Sequence, residues 1–150
     1  MIQVHVDESF AGKGYEVLLQ HAAQCTLLHG GAPEEQDLTI VLTEDDQIHH
    51  LNKKYRQIDT PTDVLSFSAN EIDPESGRQY IGDVVISFDR TVAQAQQGGH
   101  PLEDEMQLLA VHGTLHLLGH DHAEVLEKEA MWAIQDSILR ELGVHARPGE

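Results

Sequence analysis

The sequence has little cysteine and little positive charge. The first shortage excludes internal disulfide bonds, and the second disfavours binding along duplex nucleic acid. Cys25 is the single cysteine among 150 residues, so no intramolecular disulfide can form, as is typical of proteins in a reducing compartment. It lies in a helical pattern, where we expect a small buried hydrophobic side chain rather than a nucleophile. Nine lysines and arginines stand against 26 aspartates and glutamates, a formal net charge of −17. This balance disfavours a broad electrostatic grip on duplex nucleic acid.

Long apolar runs and targeting signals are also missing. No apolar stretch approaches the roughly 18 residues that a membrane span needs. Residues 1–7 have neither the basic start nor the apolar core of a signal peptide. We therefore expect a cytoplasmic protein with no membrane partner. The length predicts one domain over residues 1–150, with residues 144–150 as a loose tail.

Hydrophobic periodicity predicts an α+β protein, in which about five helices pack on a small four-stranded mixed sheet. Alternating or short apolar runs predict strands over residues 1–7, 38–42, 64–67 and 81–87. Helical spacing predicts helices over residues 14–29, 44–55, 89–97, 102–118 and 123–142. Thr43 is the expected N-cap of the second helix. Residues 70–78, which contain Pro74 and Gly77, are expected to form a loop.

Histidine is the abundant residue type: the chain has eleven, and four of them lie close together near the C-terminal end. His112 and His116 are four residues apart, so on a helix both imidazoles share one face and can bind one metal ion. His120 continues the spacing, but an unbroken helix would place it about 12 Å from His112 along the axis. His122 follows Gly119, a residue that allows the chain to turn back over the helix end. His122 is therefore the predicted third ligand.

Three histidine ligands leave a fourth coordination position open, which is typical of catalytic rather than structural zinc. Asp121 could accept the second ring proton of a ligand histidine and orient it. The spacing His-x3-His-x2-Gly-x2-His matches the metzincin peptidases, but these carry a glutamate general base directly after the first histidine. Gly113 occupies that position here, so a peptidase would need a carboxylate from elsewhere.

The same segment resembles the signature of the YbeY family of bacterial endoribonucleases, and the resemblance extends over three blocks. The signature is matched by His112-Gly113-x-Leu115-His116-Leu117-x-Gly119-x-Asp121-His122. Two earlier blocks are similar to those of the family, namely Leu51-Asn52-x2-Tyr55-Arg56-x2-Asp59-x-Pro61-Thr62-Asp63-Val64-Leu65-Ser66-Phe67 and Ile81-Gly82-Asp83-Val84-Val85-Ile86-Ser87. The family most often has tyrosine where this chain has His120, which places a fourth imidazole beside the predicted metal site.

The resemblance implies a single-strand-specific, zinc-dependent endoribonuclease that processes ribosomal RNA. It implies one Zn²⁺ ion held by His112, His116 and His122. It also implies late maturation of the 3′ end of the small-subunit (16S) RNA, a role in ribosome quality control, and ribosomal or ribosome-assembly proteins as partners.

Arg56 is the predicted catalytic residue, because the resemblance implies that it is important for activity. A guanidinium presents forked donors that suit a phosphate, although a cation at a helix end can instead serve the helix dipole. Lys53 and Lys54 stand beside it. An anionic substrate is therefore expected at this basic cluster.

Two other functions remain open on the sequence alone. A zinc metallopeptidase-like hydrolase would need a carboxylate near the metal. A non-catalytic, zinc-containing ribosome-assembly factor would have a closed coordination shell and would not cleave RNA, and the charge of −17 is compatible with it. The main hypothesis is a metal-dependent hydrolase of phosphodiester bonds in single-stranded RNA.

Overall fold

Four strands form one mixed sheet in a computed structural model that describes residues 1–30, 36–120 and 124–144. The strands are β1 (Ile2–Val6), β2 (Gln36–Thr43), β3 (Val64–Ile72) and β4 (Gln79–Ser87). Their order across the sheet is β1-β2-β4-β3, with β1, β2 and β4 parallel and β3 antiparallel to β4 at one edge. The predicted four-stranded mixed sheet is thereby confirmed.

Five α-helices lie within the described ranges, as predicted. They are α1 (Tyr15–His29), α2 (Asp45–Arg56), α3 (Phe88–Gly98), α4 (Leu102–Leu117) and α5 (Val125–Leu142), and a 3-10 turn (Glu8–Phe10) precedes them. None of the helices in this part of the chain is long and apolar enough to cross a membrane.

Alternation along the strands gives the sheet two apolar faces, and helices cover both. Leu38 and Ile40 of β2 are completely buried in the larger core, on the face where α1 contacts β1 and α4 contacts β3 and β4. On the opposite face Ile48 of α2 packs with Leu65 and Val85. The edge strand β3 therefore lies between α4 on one side and α2 on the other, and this is where the site forms.

The loop predicted over residues 70–78 is shorter in the structure. Strand β3 continues through Ile72 and β4 begins at Gln79, because the two strands pair with each other as far as the turn. The turn itself is closed by Asp73, whose carboxylate accepts hydrogen bonds from the Glu75 amide (3.0 Å) and the Ser76 hydroxyl (2.9 Å). Pairing between β3 and β4 therefore holds this polar part of the sequence in a strand, although its residue types are typical of a loop.

The prediction that Thr43 caps the second helix is wrong. Thr43 ends β2, and Glu44 is the N-cap residue without a side-chain cap bond. The free helix amide is instead satisfied by tertiary structure, since Asp89 Oδ2 accepts a 2.8 Å hydrogen bond from the Asp45 amide. A local capping rule could not identify a partner 44 residues away.

The end of α5 is fixed by a glycine cap. Gly143 has φ 73°, and the Val144 amide donates to the Leu139 carbonyl at 2.8 Å. Val144, the first residue of the predicted loose tail, is buried. The remainder of that tail, residues 145–150, lies outside the described residues.

Candidate functional site

The fourth helix brings two of the predicted metal ligands together. The Nε2 atoms of His112 and His116 are 3.2 Å apart, and their ring centroids are 4.8 Å apart. Two imidazoles on one tetrahedral zinc ion, each at about 2.0–2.1 Å, would have their nitrogens about 3.3 Å apart. The observed separation therefore fits two ligands of a single ion, and both side chains are half-buried.

A buried glutamine determines which nitrogen of His112 faces that position. Gln135 of α5 is 1% exposed, and its Oε1 lies 2.9 Å from His112 Nδ1. Because an amide oxygen only accepts, Nδ1 carries a proton, and in the neutral ring Nε2 therefore keeps the lone pair that a metal requires. Gln135 was not predicted from the sequence, although a polar residue four after Met131 and three before Ile138, both core positions, is a recognisable signal.

Gly113 allows α4 to approach the sheet. A Cβ atom at this position would lie 2.5 Å from Val84 Cγ1 and 3.2 Å from Ser66 Oγ. The Ser66 hydroxyl donates a 2.9 Å hydrogen bond to the Gly113 carbonyl, which fastens the helix to β3. The glutamate that metzincins carry at this position would therefore not fit without displacing the helix. This contact holds the part of α4 that carries His112 and His116 close to β3.

The chain turns at Gly119, as expected. Helix α4 ends at Leu117, Gly119 has φ 97°, and the His120 amide donates to the Leu115 carbonyl at 3.0 Å. The predicted third ligand, His122, and the predicted orienting residue, Asp121, lie outside the described residues.

Arg56 and the two described histidines line the same cavity of about 560 Å³, together with His120. Arg56 is the last residue of α2, and its Nη2 donates a 2.6 Å hydrogen bond to the Ser66 carbonyl on the edge strand. Its guanidinium carbon also lies 5.7 Å from the Phe67 ring centroid. The structure thus joins residues that are more than 50 positions apart in the sequence.

The neighbouring lysines do not share this placement. Lys53 Nζ lies 3.9 Å from the Asp59 carboxylate on the surface, and Lys54 Nζ lies 5.1 Å from the Tyr55 ring centroid. Among the described residues that line the cavity, Arg56 is the only lysine or arginine. Of the three residues in the predicted basic cluster, therefore, Arg56 is the one that lines the cavity together with the histidines.

Asp63 is the only carboxylate among the described residues that line this cavity. Its Oδ1 accepts hydrogen bonds from the Val64 amide (2.8 Å) and the Thr62 hydroxyl (3.3 Å), and its Oδ2 accepts one from Gln94 Nε2 (3.1 Å). Both oxygens are thus engaged in fixing the start of β3 against α3. This engagement disfavours Asp63 as a free general base.

A second cavity of about 330 Å³ adjoins the first and shares Asp63, Val64 and His112 with it. It extends between α3, α4 and α5 on the Gln135 side of His112. Glu105 lines this second cavity, and burial raises the pKa of its carboxyl group. His100 opposes this rise and lowers the pKa, because its Nε2 lies 2.6 Å from Glu105 Oε1. The two cavities together extend from Arg56 past His112 to Gln135 and Glu105.

Another group of ligand-type side chains lies on α1 and α5. Cys25, His29 and Glu141 have potential ligand atoms within 4.8 Å of one another. The described residues therefore include a group that could hold a metal ion, at a place that the sequence analysis did not indicate.

The chain is similar to known proteins over almost its whole length. A sequence model of the family described as Endoribonuclease YbeY matches residues 2–143. A protein of Heliobacterium modesticaldum with that name is 41% identical over 143 residues, which are 88% of this chain and 86% of that protein. Another, from Roseiflexus castenholzii, is 39% identical over 149 residues, or 96% and 94% of the two chains.

The fold has a counterpart among solved structures. A solution structure of a Thermotoga maritima protein superposes with a TM-score of 0.60 at 26% sequence identity, covering 100% of this chain and 99% of that one. The similarity therefore extends over the whole length of the two chains.

Proposed function

The chain belongs to the YbeY family of endoribonucleases and is a nuclease hydrolase, and from this premise we propose that it is a zinc-dependent enzyme that cleaves single-stranded ribosomal RNA. The proposed tasks are late maturation of the 3′ end of 16S RNA and ribosome quality control. The observation that carries the proposal is the shared cavity, which is lined by an arginine at the end of α2 and by two histidines of α4.

The proposed metal ligands are His112, His116 and His122. The 3.2 Å separation of the two described Nε2 atoms supports a shared ion. The Gln135 hydrogen bond supports it further, because it leaves His112 in the tautomer that can coordinate. A zinc ion in this position would supply Lewis-acid chemistry, polarising a phosphoryl oxygen and activating water near neutral pH.

Arg56 is proposed to hold the scissile phosphate. Its bond to the Ser66 carbonyl uses one of the five guanidinium N–H groups. The remaining donors can bind two phosphate oxygens at once and stabilise the charge that grows on them during cleavage. Because the arginine is held by the edge strand and by the Phe67 ring, little side-chain freedom is lost when substrate binds.

The charge distribution favours RNA that is brought to the enzyme rather than captured by it. The net charge of −17 opposes long-range attraction of a polyanion, and a single cation lines the described part of the cavity. We therefore propose that ribosomal or ribosome-assembly proteins present a single-stranded segment. We propose that residues 1–150 form one catalytic domain and that it acts in the cytoplasm.

The test combines zinc analysis with cleavage of a single-stranded RNA by three variants. His116→Ala should lose zinc and cleavage together. Arg56→Ala should retain zinc but lower kcat by about 100-fold or more, the usual effect of removing one donor to a developing oxyanion. Lys54→Ala, an exposed change on the same helix, should match the wild type and serves as the control.

Two results would overturn the proposal. One is a His116→Ala protein that has lost zinc yet cleaves RNA at the wild-type rate. The other is an Arg56→Ala protein as active as the Lys54→Ala control. Cleavage of an unstructured protein substrate, with no cleavage of RNA, would instead favour the metallopeptidase-like alternative.

A further inference from the structure

The cluster of Cys25, His29 and Glu141 joins the C-terminal ends of two packed helices. Cys25 and His29 are one turn apart on α1, and Glu141 lies in the last turn of α5. Their ligand atoms all lie within 4.8 Å of one another, and His29 Nε2 contacts Glu141 Oε2 in an ion-pair arrangement. Cys25 is buried, whereas His29 and Glu141 are exposed, so the open side of the cluster faces solvent.

Two features of this cluster favour a bound cation, and a third sets the cost of binding it. Thiolate, imidazole and carboxylate together form a donor set that suits zinc-like divalent ions. Both contributing helices end here, and helix C-termini carry partial negative charge. Burial, followed by the nearby Glu141 carboxylate, raises the pKa of the Cys25 thiol. A cation must therefore displace the thiol proton before the sulfur can coordinate, and its charge would be offset by Glu141 and by the two helix ends.

We propose that Cys25, His29 and Glu141 form a second metal site, which takes a borderline-soft divalent cation such as zinc and ties α1 to α5. Solvent completes the coordination on the exposed side. The site lies apart from the cavity at β3, since none of its three residues lines that cavity among the described residues. Binding displaces the thiol proton and requires a neutral imidazole, so the affinity falls as the pH is lowered.

Cobalt is the most direct probe, because Cys25 is the only cysteine in the chain. When Co²⁺ is titrated into the full-length, chelator-dialysed protein, a near-ultraviolet thiolate-to-cobalt charge-transfer band can arise only from this residue. The band should appear in the wild type with one cobalt per thiol, and it should be absent in Cys25→Ser. It should persist in His116→Ala, which separates this site from the one proposed for catalysis.

Two further variants keep the test decisive if the buried Cys25→Ser change impairs folding. Glu141→Gln alters an exposed side chain and should weaken cobalt binding, read from the same band, by at least about tenfold. Glu129→Gln, an exposed change near the other end of α5, should titrate like the wild type. Absence of the band in the wild type, or equal titrations for Glu141→Gln and Glu129→Gln, would overturn the proposal and leave the cluster as an ordinary ion pair beside a buried thiol.

Discussion

Replacing Gln135 with leucine should weaken zinc binding at the proposed catalytic site by about 10–100-fold. The change removes the acceptor that lies 2.9 Å from His112 Nδ1 while nearly conserving side-chain volume. Without that acceptor, either nitrogen of the ring can carry the proton, and the ring can rotate away from the orientation that coordinates. By the affinity scale, a 10–100-fold loss corresponds to about 1.4–2.7 kcal/mol. This agrees with the cost of about 1–3 kcal/mol for leaving a buried donor without a partner.

Competition with a chromophoric chelator measures this effect directly. Gln135→Glu keeps an oxygen acceptor in the same place and should retain most of the zinc affinity. Gln107→Leu is the matched control, since Gln107 is also a buried glutamine, but its side chain donates to the Glu103 carbonyl within α4. If Gln135→Leu binds zinc within twofold of the wild type, or loses no more affinity than Gln107→Leu, the assigned role of Gln135 is refuted.

Three other substitutions have definite expected outcomes. Gly113→Ala should lower the free energy of unfolding in urea by about 1–3 kcal/mol, because its Cβ would lie 2.5 Å from Val84 Cγ1; a stabilised protein would contradict the close packing. Arg56→Lys should recover little of the RNA cleavage that Arg56→Ala loses, since lysine keeps the charge but not the fork, and full recovery would contradict bidentate binding. Hydrogen bonds from Arg78, and then the N-terminus, lower the pKa of Asp37. The stability from this carboxylate is present above its unfolded pKa and lost as pH falls through the folded pKa. Asp37→Asn should therefore cost up to about 1 kcal/mol at pH 7 and nothing at the acidic end of a urea series, and a constant cost would contradict the assignment.

The elements of the fold were predictable where local pattern and burial agree. The alternation of β1, the continuous apolar stretch of α4 and the glycines after the helices indicated elements that the structure contains. Prediction failed where a distant partner decides the local structure. Thr43 looked like a cap, but Asp89 accepts from the helix amide instead. The polar end of β3 looked like a loop, but pairing with β4 holds it in a strand.

In the candidate site, too, the features that are local in the sequence were predictable and the distant contacts were not. The four-residue spacing of His112 and His116 is a property of the helix itself, so their convergence followed from the sequence. The partner of His112 did not, because Gln135 lies 23 positions later on another helix. Asp121 was the predicted orienting residue and stays a prediction, as does His122 as the third ligand.

The sequence by itself determined the class of the fold, the paired histidines, the glycine turn after them and the resemblance to a ribonuclease family, because each can be read from local patterns along the chain. Tertiary structure alone decided that Arg56 lines one cavity with the two histidines, that Gln135 lies against His112 Nδ1, and that Cys25 lies near Glu141. These relations depend on how helices pack against a sheet, and packing joins residues whose separation along the chain carries no local signal.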